Sequence, residues 1–147
     1  MPNVLINLVF FFFIVLAWLY ESLCGFQATG TYPFIVPLLP EIFQMQDIND
    51  DQDLQNMATH VLNQIASYTY PPAIVHQMID KFVEILTESP SWHVRVKALP
   101  VVQVFYFKHL FTLTKAEMIK VMDVVSGMLM DTQIEVRICR GKKCFLQ

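Results

Sequence analysis

Hydrophobic and polar positions follow the 3.6-residue rhythm of helices over most of this chain. In "DLQNMATHVLNQIASY", Leu54, Met57, Ala58, Val61, Leu62 and Ile65 stand at i, i+3, i+4, i+7, i+8 and i+11. That is the stripe a helix turns toward a core, and Asp51 or Asp53 is placed to cap its start. "PAIVHQMIDKFVEILTE" carries a second stripe, at Ile74, Val75, Met78, Ile79, Phe82, Val83 and Leu86. It opens with proline in the first helical turn, where a missing N–H costs nothing. "SPSW" interrupts it. "WHVRVKALPVVQVFYFKHLF" resumes the helical pattern, with Pro100 expected to kink it. In "LTKAEMIKVMDVVSGMLMD", Thr114 followed three residues on by Glu117 predicts a capping box. The apolar positions there are Met118, Val121, Met122, Val125, Met128 and Leu129. Upstream, "YPFIVPLLPEIF" has helical spacing at Ile35, Val36, Leu38, Leu39, Ile42 and Phe43, with Pro37 and Pro40 marking either kinks or a late helix start. "MQDINDDQD" is a polar, acidic loop.

The helix starts also recur. "DLQNMA", "HVRVKA" and "EVRICR" each follow a loop that is acidic or contains Ser and Pro. Ala58 to Ala98 is 40 residues and Arg95 to Arg137 is 42. Two helices and two short turns in a period of about forty residues is the pattern of HEAT or armadillo repeats. Such units cannot cover their apolar faces alone, so they stack. The expected fold is therefore all-α, a HEAT/armadillo-like helical-hairpin solenoid segment over residues 31–137, with a four-helix bundle as the alternative.

Both ends need separate readings. "VLINLVFFFFIVLAWL", Val4 to Leu19, is apolar for 16 residues apart from Asn7, whereas a membrane span needs about 20. A signal peptide needs a positively charged start, and here only the terminal amine supplies one, although Ser22 and Cys24 resemble a small-residue cleavage site. Residues 1–30 thus fit a buried helix of a larger array, a signal peptide or membrane anchor, or a non-native start. At the other end, "DTQIEVR" opens a helix that "ICRGKKCFLQ" does not continue. Residues 138–147 form a basic tail, and the chain is expected to be a fragment, a splice product or a gene model that reads past an exon boundary; a short native cap is the alternative.

Composition adds constraints. The chain has 147 residues, 54% of them hydrophobic and 16% charged, with four glycines and eight prolines. This composition argues against disorder and suits one helical domain with a real core. The first 80 residues hold seven acids and no Lys or Arg, whereas the remainder holds ten basic residues against six acids, a net of +4. Only Arg137, Arg140, Lys142 and Lys143 are dense enough to suggest an acidic partner. No aromatics interleave them, so nucleic acid is not an expected partner. Three cysteines, Cys24, Cys139 and Cys144, make no disulfide framework, and reduced thiols are expected.

The stretch "PSWHVRVKALPVVQVFYFKHLFTLTKAEMIKVMDVVSGMLMDTQIEVR", Pro90 to Arg137, resembles the C-terminal HEAT repeats of the large proteasome activator family, proteasome activator complex subunit 4. The resemblance rests on the Ser-Trp-His-x-Arg helix start, the aromatic run in "VFYFKHLF" and the closing "LMDTQIEVR". It covers about a third of the chain strongly. It extends more weakly through "PLLPEIF" and "LQNMATHVLNQI", and residues 1–30 carry none of it. The resemblance implies a solenoid that docks on the end ring of the core proteasome and opens its gate without ATP, in the nucleus and cytoplasm. In that family an extreme C-terminal hydrophobic-Tyr-any motif does this. The chain ends Phe145-Leu146-Gln147, without the tyrosine, so gate opening is not expected of it. The family is also linked to acetylated histones and to inositol phosphate, and no residue of this chain is assigned to either. The alternatives are a generic HEAT adaptor in transport or chromatin scaffolding, and a small secreted or membrane-anchored helical protein held through residues 4–19.

No phosphate loop, nucleophile elbow or zinc-protease motif is present in the sequence, so a non-enzymatic protein-interaction role is expected, with no catalytic, cofactor-binding or metal residues. Asp47, Asn49, Asp51 and Asp53 mimic a calcium loop, but Gln52 replaces its sixth-position glycine and Ala58 its closing glutamate. Cys139 and Cys144 make one thiolate pair without a second. His60, His76, His93 and His109 lie on separate helices or at turns. Arg95 and Arg137 are expected to stitch repeats by bonding loop carboxylates such as Asp131. Trp92 and the Phe105-Tyr106-Phe107 run are expected to pack between helices.

Overall fold

A computed structural model describes residues 2–24 and 32–128. Among these residues the secondary structure is helical: α1 (Pro2–Cys24), α2 (Tyr32–Gln46), α3 (Gln52–Ser67), α4 (Pro72–Glu88), α5 (Trp92–Lys108) and α6 (Lys115–Gly127). The chain divides into two compact units, Met1–Tyr68 and Thr69–Gln147. The boundaries expected after residues 30 and 137, the basic tail, and the residues Asp131, Arg137, Cys139 and Cys144 all lie outside the described residues.

In the first unit, α3 packs against both α1 and α2. Asp51 is its N-cap: the carboxylate Oδ1 accepts from the Leu54 N–H at 3.0 Å. The helix stops at Tyr68, just before a segment that leads into two prolines. Leu54, Ala58, Val61, Leu62 and Ile65 are fully buried, as the stripe predicts. α2 runs through Pro37 and Pro40, so neither proline delays its start. Its buried side chains Ile35, Leu39, Ile42 and Phe43 stand at i, i+4, i+7 and i+8. At its end, the Gln55 side chain donates to the Gln46 carbonyl at 3.0 Å, and the Gln46 amide donates to Thr59 Oγ1 at 3.2 Å. These two bonds tie the end of α2 to α3.

The apolar run Val4–Leu19 lies within α1. Sixteen residues at about 1.5 Å each give about 24 Å, short of the ~30 Å of a hydrocarbon core. Among the described residues, no helix is long and apolar enough to cross a membrane. Leu16 and Leu19 are buried, and the Tyr20 ring meets the His60 ring edge-on at 6.4 Å.

In the second unit, α4 packs against both α5 and α6. Pro72 occupies the first turn of α4, as expected. Val75, Met78, Ile79, Phe82, Val83 and Leu86 form its buried stripe, joined by Ile85. α5 continues through Pro100 and buries Val94, Ala98, Val101, Val102 and Phe105. α6 opens with the predicted capping box: the Glu117 N–H donates to Thr114 Oγ1 at 3.2 Å, and the Thr114 N–H donates to Glu117 Oε2 at 2.8 Å. Its core contribution is narrower than the apolar spacing suggests. Val121 is buried and Met122 is 53% exposed, so the buried face is rotated away from Met122.

Candidate functional site

The second unit is held by side chains spaced one repeat apart. Tyr70 and His109 are 39 residues apart, Asp80 and Lys120 are 40, and His76 and Glu117 are 41. A ladder of this spacing is what lateral stacking of equivalent repeat positions produces.

The two outer rungs join α4 to α6. His76 lies one helical turn before Asp80 on α4, and Glu117 lies three residues before Lys120 on α6, so the partners meet pairwise along the two helices. His76 Nδ1 is 2.6 Å from Glu117 Oε1, and Lys120 Nζ donates to Asp80 Oδ1 at 3.1 Å. The inner pair is the more sheltered, since the Glu117 side chain is 17% exposed and that of Asp80 is 66% exposed. Burial pushes the Glu117 carboxyl up. The bonds it accepts from the Thr114 N–H, from His76 and from the Thr114 hydroxyl, with the His76 charge, outweigh that and hold it below the usual carboxylate range. Glu117 therefore serves as both a helix cap and a bridge between helices.

The buried rung centres on His109, the buried polar residue at the end of α5. Its Nδ1 lies 3.1 Å from the Phe105 carbonyl, so Nδ1 carries the hydrogen and donates, which leaves Nε2 to accept from the Tyr70 N–H at 3.2 Å. Its own carbonyl accepts from the N–H groups of Thr112 and Leu113 at 2.9 and 3.2 Å, which turns the chain from α5 toward α6. The His109 ring packs against Phe105 at 4.4 Å and Tyr70 at 5.8 Å, and Phe105 meets Phe82 edge-on at 5.1 Å. Burial pushes the His109 pKa down. The bond to Phe105 opposes this and the adjacent Lys108 charge adds to it, leaving the imidazole below its ordinary value and neutral.

The other residues singled out in the sequence are occupied locally. Asp51 caps α3. Among the described residues no group of three or more His, Cys, Asp or Glu is arranged to hold a metal ion. The four histidines have different neighbours: His60 faces Tyr20, His76 pairs with Glu117, His93 stacks on Trp92 at 3.6 Å, and His109 is buried. Arg95 donates to the Ser89 carbonyl at 2.7 Å, while Asp131, the carboxylate expected for it, lies outside the described residues. The Ser89 bond satisfies a carbonyl where α4 ends and ties that end to the start of α5. Of the aromatic run, Phe105 is core, whereas Phe107 is 55% exposed and does not pack between helices. The partner of His109 is the feature the sequence does not reveal. A histidine inside "FYFKHLF" with a tyrosine one repeat upstream is the signal that points to it.

Residues 19–139 match the family model described as EF3 N-terminal HEAT repeat. Proteasome activator complex subunit 4A of Danio rerio is 30% identical over 128 residues, which is 84% of this chain and 7% of that protein. The chain therefore spans a small fraction of the relative's length. No solved structure matches it significantly. The family match covers most of the chain, the described residues form helical hairpins, and polar rungs recur at the repeat period. This all-α chain belongs to the HEAT-repeat family described as EF3 N-terminal HEAT repeat, of the helical-hairpin solenoid class.

Proposed function

We propose that the chain is a non-enzymatic protein-interaction scaffold that contacts the end ring of the core proteasome. The observation that carries this reading is the 30% identity to proteasome activator complex subunit 4A over 128 residues. The resemblance of Pro90–Arg137 to the same family, read from the sequence, supports it. HEAT-type hairpins offer extended helical surfaces, so affinity is spread over many side chains rather than concentrated in one cavity. The proposed location is nucleus and cytoplasm.

The test is co-sedimentation of the full chain with purified core proteasome, read together with fluorogenic peptidase activity. Co-sedimentation is expected, and the peptidase readout shows whether docking also opens the gate. Absence of co-sedimentation at tens of micromolar would remove the proteasome reading. The match to a HEAT family not described by the proteasome then favours the second reading, a generic HEAT adaptor with another protein partner.

A further inference from the structure

We infer that Ser89, in the turn between α4 and α5, is a phosphorylation site for a proline-directed protein kinase, and that Arg95 receives the phosphate. The site lies wholly within the second unit and does not depend on proteasome contact. Of the eight prolines in the chain, Pro90 is the one that follows a serine or threonine. Ser89 is the C-cap of α4, with φ −62° and ψ 125°, and Ser91, the N-cap of α5, has φ −86° and ψ 121°. Both residues are extended, the backbone form in which a substrate strand lies in a kinase cleft. Pro90 holds Ser89 in that form, because its ring disfavours a helical residue before it. Ser89 is half-buried between exposed Glu88 and exposed Pro90. The end of α4 is also weak there, since Glu88 sits at the negative end of the helix dipole with no basic residue in the last turn. The bonds of Ser89 run through its backbone. Its N–H donates to the Ile85 carbonyl at 3.3 Å, and its carbonyl accepts from Arg95 at 2.7 Å. Esterifying the hydroxyl breaks neither. The nearby Thr87 hydroxyl, by contrast, donates to the Val83 carbonyl at 2.8 Å.

In the reaction the Ser89 hydroxyl oxygen attacks the γ-phosphorus of ATP, its proton passes to the catalytic carboxylate of the kinase, and ADP leaves. The product carries about −1.5 to −2 charges and three acceptor oxygens. That charge sits between two helix ends. On the α4 side it meets Glu88 and the negative end of a dipole. On the α5 side it meets the positive end of a dipole and Arg95. α5 holds no acid in its first turn, and Ser91 makes no side-chain capping bond to it, so the phosphate supplies a negative group that this helix start lacks. The Arg95 guanidinium already lies against the Ser89 carbonyl, and its five donors let it hold a phosphate oxygen while keeping that bond. Charge-assisted bonds of this kind are about twice as strong as neutral ones. Repulsion from Glu88 is weaker, because that side chain is exposed and screened by salt. Attraction therefore wins, and phosphorylation tightens the joint between α4 and α5.

The test incubates the folded full chain with a mitogen-activated protein kinase, which is proline-directed, and Mg-ATP, and locates the phosphate by peptide mass spectrometry. One phosphate on Ser89 is expected. Ser89→Ala should abolish it and Pro90→Ala should slow it at least tenfold, with the circular dichroism of both variants unchanged. The phosphorylated chain is expected to melt about 2–4 °C above the unmodified one at low salt, and 300 mM NaCl should shrink that gap. Arg95→Gln keeps a donor for the Ser89 carbonyl but loses the charge, and in this variant phosphorylation is expected to give no rise in the midpoint. Modification only after the chain is denatured, or at another hydroxyl of the folded chain, would overturn the site. A midpoint that falls on phosphorylation, or that rises equally in Arg95→Gln, would overturn the role of Arg95. Core-proteasome co-sedimentation of the unmodified chain is a separate measurement, so this site and the proteasome reading can fail independently.

Discussion

Tyr70 donates its backbone N–H to Nε2 of His109 at 3.2 Å, across 39 residues of sequence. This bond joins the entry to α4 to the exit of α5, and it exists only while the imidazole is neutral, since a protonated ring presents N–H on both sides. Burial holds the folded pKa below the unfolded value of 6.5. The unfolded chain therefore takes up the proton first as pH falls. The stabilisation is fully present above pH 6.5 and is lost as pH drops through 6.5 toward the lower folded value. The thermal midpoint is expected to fall between pH 7.5 and pH 5.5. His109→Phe keeps a ring in the aromatic cluster but leaves the Tyr70 N–H without its acceptor. It is expected to cost about 1–3 kcal/mol at pH 7.5 and to flatten the midpoint across the same interval. An unchanged pH dependence in His109→Phe would show that another group carries it.

The two outer rungs between α4 and α6 differ in shelter, and their coupling should differ accordingly. His76–Glu117 is short and partly buried, whereas Asp80–Lys120 is open to solvent. Double-mutant cycles to alanine, read by urea denaturation, are expected to give about 0.5–1 kcal/mol for the first pair and about 0.2 kcal/mol for the second. Glu117→Ala also removes half of the capping box, so its single-variant cost should exceed that of His76→Ala. The folded Glu117 carboxyl lies below its usual 4.5. Its stabilisation is thus complete above pH 4.5 and is lost as pH falls below that value, a window separate from the His109 one. Equal coupling energies for the two pairs would contradict the assignment of shelter.

Phe105 and Phe107 sit two residues apart and face opposite environments. Phe105 is fully buried against Tyr70, Phe82 and His109, whereas Phe107 is 55% exposed. Phe105→Ala is expected to destabilise by about 3–5 kcal/mol through the cavity it leaves. Phe107→Ala, on the surface, is expected to stay within about 0.5 kcal/mol. Denaturant midpoints for the two variants check this directly. Similar losses would mean that the outer face of α5 is covered.

How far the sequence reveals these features depends on how locally each is encoded. The cap at Asp51 and the box at Thr114 and Glu117 are written within four residues, so both are visible before any packing is known. The stripes of α3 and α4 leave one apolar face each, and burial follows them. α2 is ambiguous because its two prolines argue against a helix at about 3 kcal/mol apiece. Burial of Ile35, Leu39, Ile42 and Phe43, at about 1.5–3 kcal/mol each, outweighs that locally. α6 carries apolar residues at Met118, Ile119, Val121, Met122, Val124 and Val125, which circle more than one face. Periodicity cannot choose between Val121 and Met122, and contact with α4 does. The rungs between α4 and α6 are the least visible. A period near forty residues says that equivalent positions become neighbours, but not which polar side chains meet.

Asp51 permits a direct test of the calcium-like loop. Its Oδ1 is engaged by the Leu54 N–H at 3.0 Å, and its carbonyl accepts from the Gln55 N–H at 3.1 Å, so the residue is committed to starting α3. A calcium loop would need that carboxylate to turn toward an ion, with a bidentate glutamate where Ala58 stands and a glycine where Gln52 stands. Ala58 is instead fully buried in the core of the first unit. Asp51→Ala is therefore expected to cost about 0.5–2 kcal/mol as a lost N-cap. Asp51→Asn or Asp51→Ser, which retain a capping oxygen, should recover most of that loss. Millimolar CaCl2 should leave the thermal midpoints of the parent chain and of Asp51→Asn equally unmoved. A calcium-dependent rise in the parent that Asp51→Asn abolishes would show that the carboxylate binds the ion rather than only capping the helix.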